Sequence, residues 1–376
     1  MNRKQATRLG VQKRVLPGLR TLSIHRRGCV EHFITAVPGA GEPPEAMFAK
    51  AAEALGVAKG RVISQDVLGM NSRNGAGMKA LETAMGTLQW PVTWIEGADQ
   101  PGLVGTHLWA IEGVPVQPVR FEGRVVGTWF HDGVARYCRL GDLRPADVST
   151  SRPEQARRVF EQMDAVLKLV GMDFSKVART WLYLDQILCW YGELNQVRNE
   201  FYTRHRVFNG MVPASTGIGG SHASGSALVA GLLAVDVPSN EVQVHEVPSL
   251  LQCPAIEYGS SFSRAVEVAG PDYRRLLISG TAGIGPEGRT ACLGNVNGQL
   301  ALTMEVVGAI LESRGMAWGD VTRAIAYFKP GTEANLLADY RAAQGIDSIP
   351  VQVVSSDICR DDLLFEIELD AMRPLE

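Results

Sequence analysis

The chain has 376 residues and a formal net charge of -3, enough length for two or three units each with its own core. Charged residues make up 20% and the hydrophobic set 45%, ordinary globular usage that excludes a disordered or collagen-like chain. The small negative balance also excludes a general binder of nucleic-acid backbones, which needs a dense positive surface.

Residues 1–20 carry Arg3, Lys4, Arg8, Lys13, Arg14 and Arg20 and read as a flexible, solvated basic tail. No apolar run of secretory length follows, and no stretch of about 18 apolar residues occurs anywhere. A cytoplasmic protein with no membrane contact is expected. From residue 21 onward one pattern recurs three times, over 21–120, 121–240 and 273–376. In the first copy 32–37 reads as a strand and 44–55 as a helix with Met47, Ala51, Ala54 and Leu55 on one face. In the second, 127–130 is a strand, and a helix over 153–170 gathers Val159, Met163, Val166, Leu167 and Val170. In the third, the strand 276–281 turns at 283–288 into another over 289–293. A helix over 296–314 then aligns Leu300, Met304, Val307, Ile310 and Leu311 at helical spacing.

Each helix ends at a glycine, Gly56, Gly171 or Gly315, a residue suited to the left-handed position after a helix. A valine follows at the same distance in every copy, Val62, Val177 and Val321, and opens a strand, after which comes a second helix, over 333–343 in the third copy. Pro91, Pro213 and Pro350 then begin new extended segments, and the copies close on the apolar runs 108–112, 228–235 and 363–369. The spacing from Gly56 to Pro91 equals that from Gly315 to Pro350, an agreement hard to reach by chance. The order β-β-α-β-α-β-β predicts an α+β fold of three mixed sheets, each with two helices on one face, around a pseudo-threefold axis. Ligands are expected in the clefts between units. The stretch 241–272, rich in small polar residues, reads as a connection lining one of them.

The six cysteines show no Cys-x-x-Cys spacing, which fits free thiols. His-Glu-x-x-His, Gly-x-x-x-x-Gly-Lys-Ser/Thr, Gly-x-Ser-x-Gly and Gly-x-Gly-x-x-Gly are all absent. Neither a metal nor an organic cofactor is expected.

The third copy resembles the Rid/YjgF family, and the three-copy chain resembles the chorismatases built on that fold. The matching segments are Ile-Ser-Gly-Thr-Ala-Gly at 278–283, Gln299, Tyr340, Pro-Ala-Ser-Thr-Gly-Ile-Gly at 213–219, Tyr-Gly-Ser-Ser-Phe-Ser-Arg at 258–264 and Cys-Arg-Asp-Asp-Leu-Leu-Phe-Glu-Ile-Glu at 359–368. The likeness covers most of the chain from about residue 120 onward, and the diverged first copy rests on the repeat alone. Rid imine deaminases grip a substrate carboxylate with the arginine of a Pro-x-Arg-Ser/Thr motif. Here the prolines lead into Pro91-Val-Thr, Pro213-Ala-Ser and Pro350-Val-Gln, so that arginine is missing from every copy. The first two copies also lack a carboxylate at the place of Glu366, so one competent site per chain is expected.

Chorismatases, as the resemblance implies, release pyruvate from the enolpyruvyl ether of chorismate and leave a hydroxybenzoate or a dihydroxycyclohexadiene carboxylate. Cleaving a vinyl ether begins with protonation of its terminal methylene, so the reaction needs a well-placed acid. Glu366 stands at the family's acid position, although the alternation Phe-Glu-Ile-Glu alone also reads as a strand with Glu366 or Glu368 facing solvent. Two substrate carboxylates need arginine forks. The candidates are Arg264, Arg341 and Arg360, each of which also reads as a surface residue. Tyr258 is placed to hydrogen-bond a ring hydroxyl or carboxylate, and Gly280, Thr281, Ala282 and Gly283 to form a tight lining. Cys359 matches a cysteine of the chorismatases that form 3-hydroxybenzoate, which favours that product. Two other readings stand beside this one: a Rid-like protein binding or deaminating a small carboxylate or imine metabolite, and a purely structural pseudo-trimer. The expected partner is a small-molecule substrate, and the expected state a monomer with internal pseudo-threefold symmetry or a weak homo-oligomer.

Overall fold

The computed structural model describes residues 10–69, 75–98, 102–346 and 349–375. The first sheet holds β1 (Gly10–Leu16), β2 (Leu19–His25), β3 (Val30–Ala36), β4 (Arg61–Gly69), β5 (Val92–Ile95) and β6 (Leu103–Glu112), with helices α1 (Pro44–Ala58) and α2 (Ala76–Met85). The second holds β7 (Val116–Phe121), β8 (Arg124–His131), β9 (Arg136–Leu143), β10 (Val177–Leu184), β11 (Ala214–Gly219) and β12 (Leu228–Asp236), with α3 (Arg152–Leu169) and α4 (Tyr191–Arg204). The third holds β13 (Gln243–Val247), β14 (Ala265–Ala269), β15 (Tyr273–Ala282), β16 (Val321–Phe328), β17 (Val351–Ser355) and β18 (Phe365–Pro374), with α5 (Val296–Ser313) and α6 (Leu336–Ala343). All three six-stranded sheets share one strand order, first-second-third-sixth-fourth-fifth. Only the fourth and fifth strands of each pair in parallel. The molecule is therefore α+β, three units of one topology in one chain. Among the described residues no helix is long and apolar enough to cross a membrane.

The helix stripes read from the sequence pack where their spacing sends them. Met47, Phe48 and Ala51 of α1 meet Trp94 and Leu108 of the first sheet. Val159, Phe160, Met163 and Val166 of α3, and Leu300, Met304, Val307 and Ile310 of α5, do the same in their units. The opposite faces of the three sheets meet one another in a central core that includes Phe33, Trp109, Phe130, Tyr137, Trp181, Tyr273 and Leu277. Sheets covered on both faces explain why β10 and β16 are buried at every residue.

Several sequence expectations need correction. Three strands, not two, precede the first helix of each unit. The extra strands β1, β7 and β13 are sheet edges with mostly uncovered side chains, so they carry no apolar signal. Residues 10–16, read as part of the tail, thus form β1, and both ends of the 241–272 connection are strands of the third sheet. The second sheet likewise begins at Val116, inside the stretch assigned to the first unit. The run 289–293 is not a strand: it makes a turn with one bridge, Ile284 to Thr290, and Cys292 at φ 50°. Gly171 and Gly315 do adopt the left-handed conformation after α3 and α5, at φ 68° and 67°. Gly56 instead lies inside α1, and Lys59 takes the left-handed cap at φ 51°.

Candidate active site

Glu366 lies on β18, where the ladder sets it opposite Ala282 of β15 and Tyr327 of β16. Against this wall of the third unit stands β11 of the second. The Ser215 backbone N–H donates to the Ser279 hydroxyl at 2.9 Å, and that of Gly280 to the Thr216 hydroxyl at 3.0 Å. Between the two units is a narrow cavity, which also takes Tyr191 and Arg198 from α4, Tyr258 and Arg264 from the strap between β13 and β14, and Cys359 and Arg360 from the loop before β18.

Seven of the ten residues singled out in the sequence come together here: Glu366, Cys359, Arg264, Arg360, Tyr258, Gly280 and Ala282. Thr281 and Gly283 do not line the cavity. Side chains alternate along a strand, so these two face away from Gly280 and Ala282. Thr281 donates to the Ser279 carbonyl at 2.9 Å, and Gly283 packs on Gln299 of α5. Arg341 belongs to α6, in the helical layer on the far side of the third sheet, and is not part of the cleft.

The sequence reading missed Tyr191, Arg198, Ser215, Gly217, Ser260, Phe262, Ile284 and Leu363, all of which line the cavity. One signal was available. Arg198 falls on the same helical face as Leu194, Val197 and Phe201, and an arginine in an apolar stripe has to be buried with a purpose.

Glu366 is 4% exposed and makes no hydrogen bond or ion pair with any described residue. Burial, and after it the nearby charge of Glu368, push its carboxyl up to about 8, against the opposing pull of Arg179 and Arg264. It is a protonated acid at neutral pH. Gly280 makes room for it: a Cβ there would collide with Glu366 Oε1. The thiol of Cys359 is pushed up to about 12, chiefly by burial and then by Glu366, so it stays neutral. Burial likewise raises the hydroxyls of Tyr191 and Tyr258, leaving both as neutral donors.

Three guanidiniums face this neutral acid, and among the described residues none has a carboxylate partner. Arg198 donates to Asn195 Oδ1 at 2.6 Å and leaves its Nε buried without a partner. Arg264 donates twice to the Cys253 carbonyl, at 3.1 and 2.8 Å, and Arg360 to the Gly288 carbonyl at 2.9 Å. The Tyr258 ring lies between the last two, 5.3 Å from Arg264 and 5.1 Å from Arg360. A second, narrow cavity at the molecular centre contains charges that already satisfy one another: Arg323 holds Asp66 at 3.1 Å, and Arg139 holds it at 3.4 Å. The cleft between units two and three sets arginines without carboxylate partners among the described residues beside an acid.

No family model matches the chain. It is 26% identical over 222 residues to a chorismatase of Streptomyces hygroscopicus, a match covering 53% of this chain and 62% of that protein. With a chorismatase of Streptomyces rapamycinicus it shares 28% identity over 267 residues, 63% of this chain and 77% of the other. A chorismatase crystal structure aligns with 93% of this chain and 100% of its own, at a TM-score of 0.63 and 19% identity. In sequence and in fold, the chain is similar to the chorismatases.

Proposed function

We propose that this protein is a chorismatase-type enzyme that needs no cofactor and releases pyruvate from chorismate in the cleft between its second and third units. The observation that carries this reading is a buried Glu366, its carboxyl pushed up by burial, in one cavity with three arginines that lack carboxylate partners among the described residues. A dicarboxylate supplies the missing negative charge, and an enol ether is a group that such an acid activates. Arg198, Arg264 and Arg360 hold the two carboxylates, with Tyr258 donating a hydrogen bond. Glu366 delivers its proton to the terminal methylene and becomes a carboxylate, while the ether carbon becomes an oxocarbenium ion. Pyruvate then departs along one of two balanced courses. In the first, water adds to that carbon, returns a proton to Glu366, and the hemiketal collapses to pyruvate and a dihydroxycyclohexadiene carboxylate. In the second, the ring loses pyruvate with no net addition of water and becomes a hydroxybenzoate.

The neutral thiol of Cys359 beside Glu366 favours the second course, with 3-hydroxybenzoate as product. The test is incubation with chorismate, a coupled assay for pyruvate and mass spectrometry of the ring product. Pyruvate with a hydroxybenzoate supports both assignments, and pyruvate with the heavier dihydrodiol rejects the product assignment. No pyruvate above the uncatalysed rate rejects the activity.

A further inference from the structure

Glu366, Glu368 and Asp370 alternate along β18 and so point to one face of the third sheet. Glu368 is fully buried and clamped by three donors from two units: Arg179 at 2.6 Å and Thr216 at 2.5 Å from the second, and Arg323 at 2.9 Å from the third. The Thr216 hydroxyl that donates to Glu368 also accepts the Gly280 N–H. One clamp thereby fixes both the Glu368 charge and the glycine against which Glu366 rests.

The other groups around Glu366 come from both units, and among them Arg179 and Arg264 pull in the opposite direction. Arg179 comes from β10, Arg198 and Tyr191 from α4, and Arg264 and Tyr258 from the strap. The loop before β18 supplies Arg360 and Cys359, and β16 supplies Tyr327. Arg179 and Arg264 favour an ionised Glu366, and an ionised Glu366 has no proton to give. Glu368 is the one carboxylate set against them on the same face and close by.

We propose that Glu368 is the positioning residue of this site, its clamped carboxylate holding the neighbouring Glu366 side chain in the proton-bearing form. This rests on the reading of Glu366 as the acid, and it gives a role to a buried ion cluster that joins Glu368 and Arg323 of the third unit to Arg179 of the second and Asp66 of the first.

The experiment has two readouts on the full chain: the pH dependence of kcat/KM with chorismate, and a carboxyl 13C titration of protein labelled in glutamate, with Glu366 assigned by its loss in Glu366→Gln. Glu368→Gln moves both the falling limb and the Glu366 titration to lower pH by about one unit or more. Glu368→Asp, which keeps the charge, stays close to wild type. If Glu368→Gln fails to fold, Glu368→Met combined with Arg179→Met removes the pair without stranding a charge, and its titration moves in the same direction by less. A purely structural Glu368 would lower the melting temperature and leave the Glu366 titration in place in every folded variant, which would overturn the proposal. The titration needs no turnover, so an absence of pyruvate release would refute the assigned function while still deciding the role of Glu368.

Discussion

A carboxyl held at about 8 leaves marks on both activity and stability. As an acid, Glu366 works while protonated, so kcat/KM is expected to stay level below neutrality and to fall as pH rises through about 8. Glu366→Gln should lower kcat by about 10²–10⁴-fold with KM little changed, the pattern of a group used in the transition state. The stability effect runs the other way. Because its folded value lies above its ordinary one of 4.5, the folded state binds the extra proton between those two values, and stability is lost as pH rises through that window. Glu366→Gln removes this penalty, so its melting temperature should exceed that of wild type by a margin that widens from pH 5 to pH 9. A constant margin would mean that the carboxyl is not held protonated.

Among the elements of the cleft, β15 and α4 each carry a test of their own. On β15, Gly280 has no positive φ, so Gly280→Ala is tolerated by the backbone and acts only through the new Cβ. Displacing the Glu366 carboxyl should cost about 10²-fold in kcat with little change in melting temperature. On α4, Arg198→Lys keeps the charge and loses the fork, so KM should rise by about 10-fold or more with a smaller change in kcat. A larger effect on kcat than on KM would assign Arg198 to the chemistry instead of binding. The strap between β13 and β14 matters because Arg264 and Phe262 line both the acid's cavity and a neighbouring one of about 270 Å3. The Cys253 carbonyl is what keeps the Arg264 fork in place.

At the scale of the molecule the threefold repeat does not give three sites. The strand registers set Val229 and Gly105 in the places of Glu366, opposite Tyr183 and Leu68 as Glu366 is opposite Tyr327. In the second unit the place of Gly280 falls to Asp142, which Arg124 and Arg144 neutralise at 2.9 and 3.0 Å. Calorimetric titration with a non-hydrolysable dicarboxylate analogue should therefore give one ligand per chain. Two or three would show that the clefts lacking an acid still bind.

Much of the architecture was legible before the structure. Helix stripes, prolines and returning valines are local signals with a fixed period, and they located α1, α3, α5 and the strands that follow them. The edge strands β1, β7 and β13 were not legible because an uncovered strand needs no apolar face. Of the cavity lining, Glu366, Cys359, Arg360, Gly280, Ala282, Tyr258 and Arg264 were singled out through the family resemblance, whereas Ser260 and Phe262 of the strap were not. Arg341 was misplaced because a sequence does not show which side of a sheet a helix will cover.

The sequence by itself determined that there are three like units and that a carboxylate stands at Glu366 in only one of them, because repeat period and residue identity are properties of the chain. Only the tertiary structure decided which cleft is charged and which carboxyl keeps its proton. Those depend on burial and on charges brought close from far along the chain, as Arg179 and Thr216 are brought to Glu368.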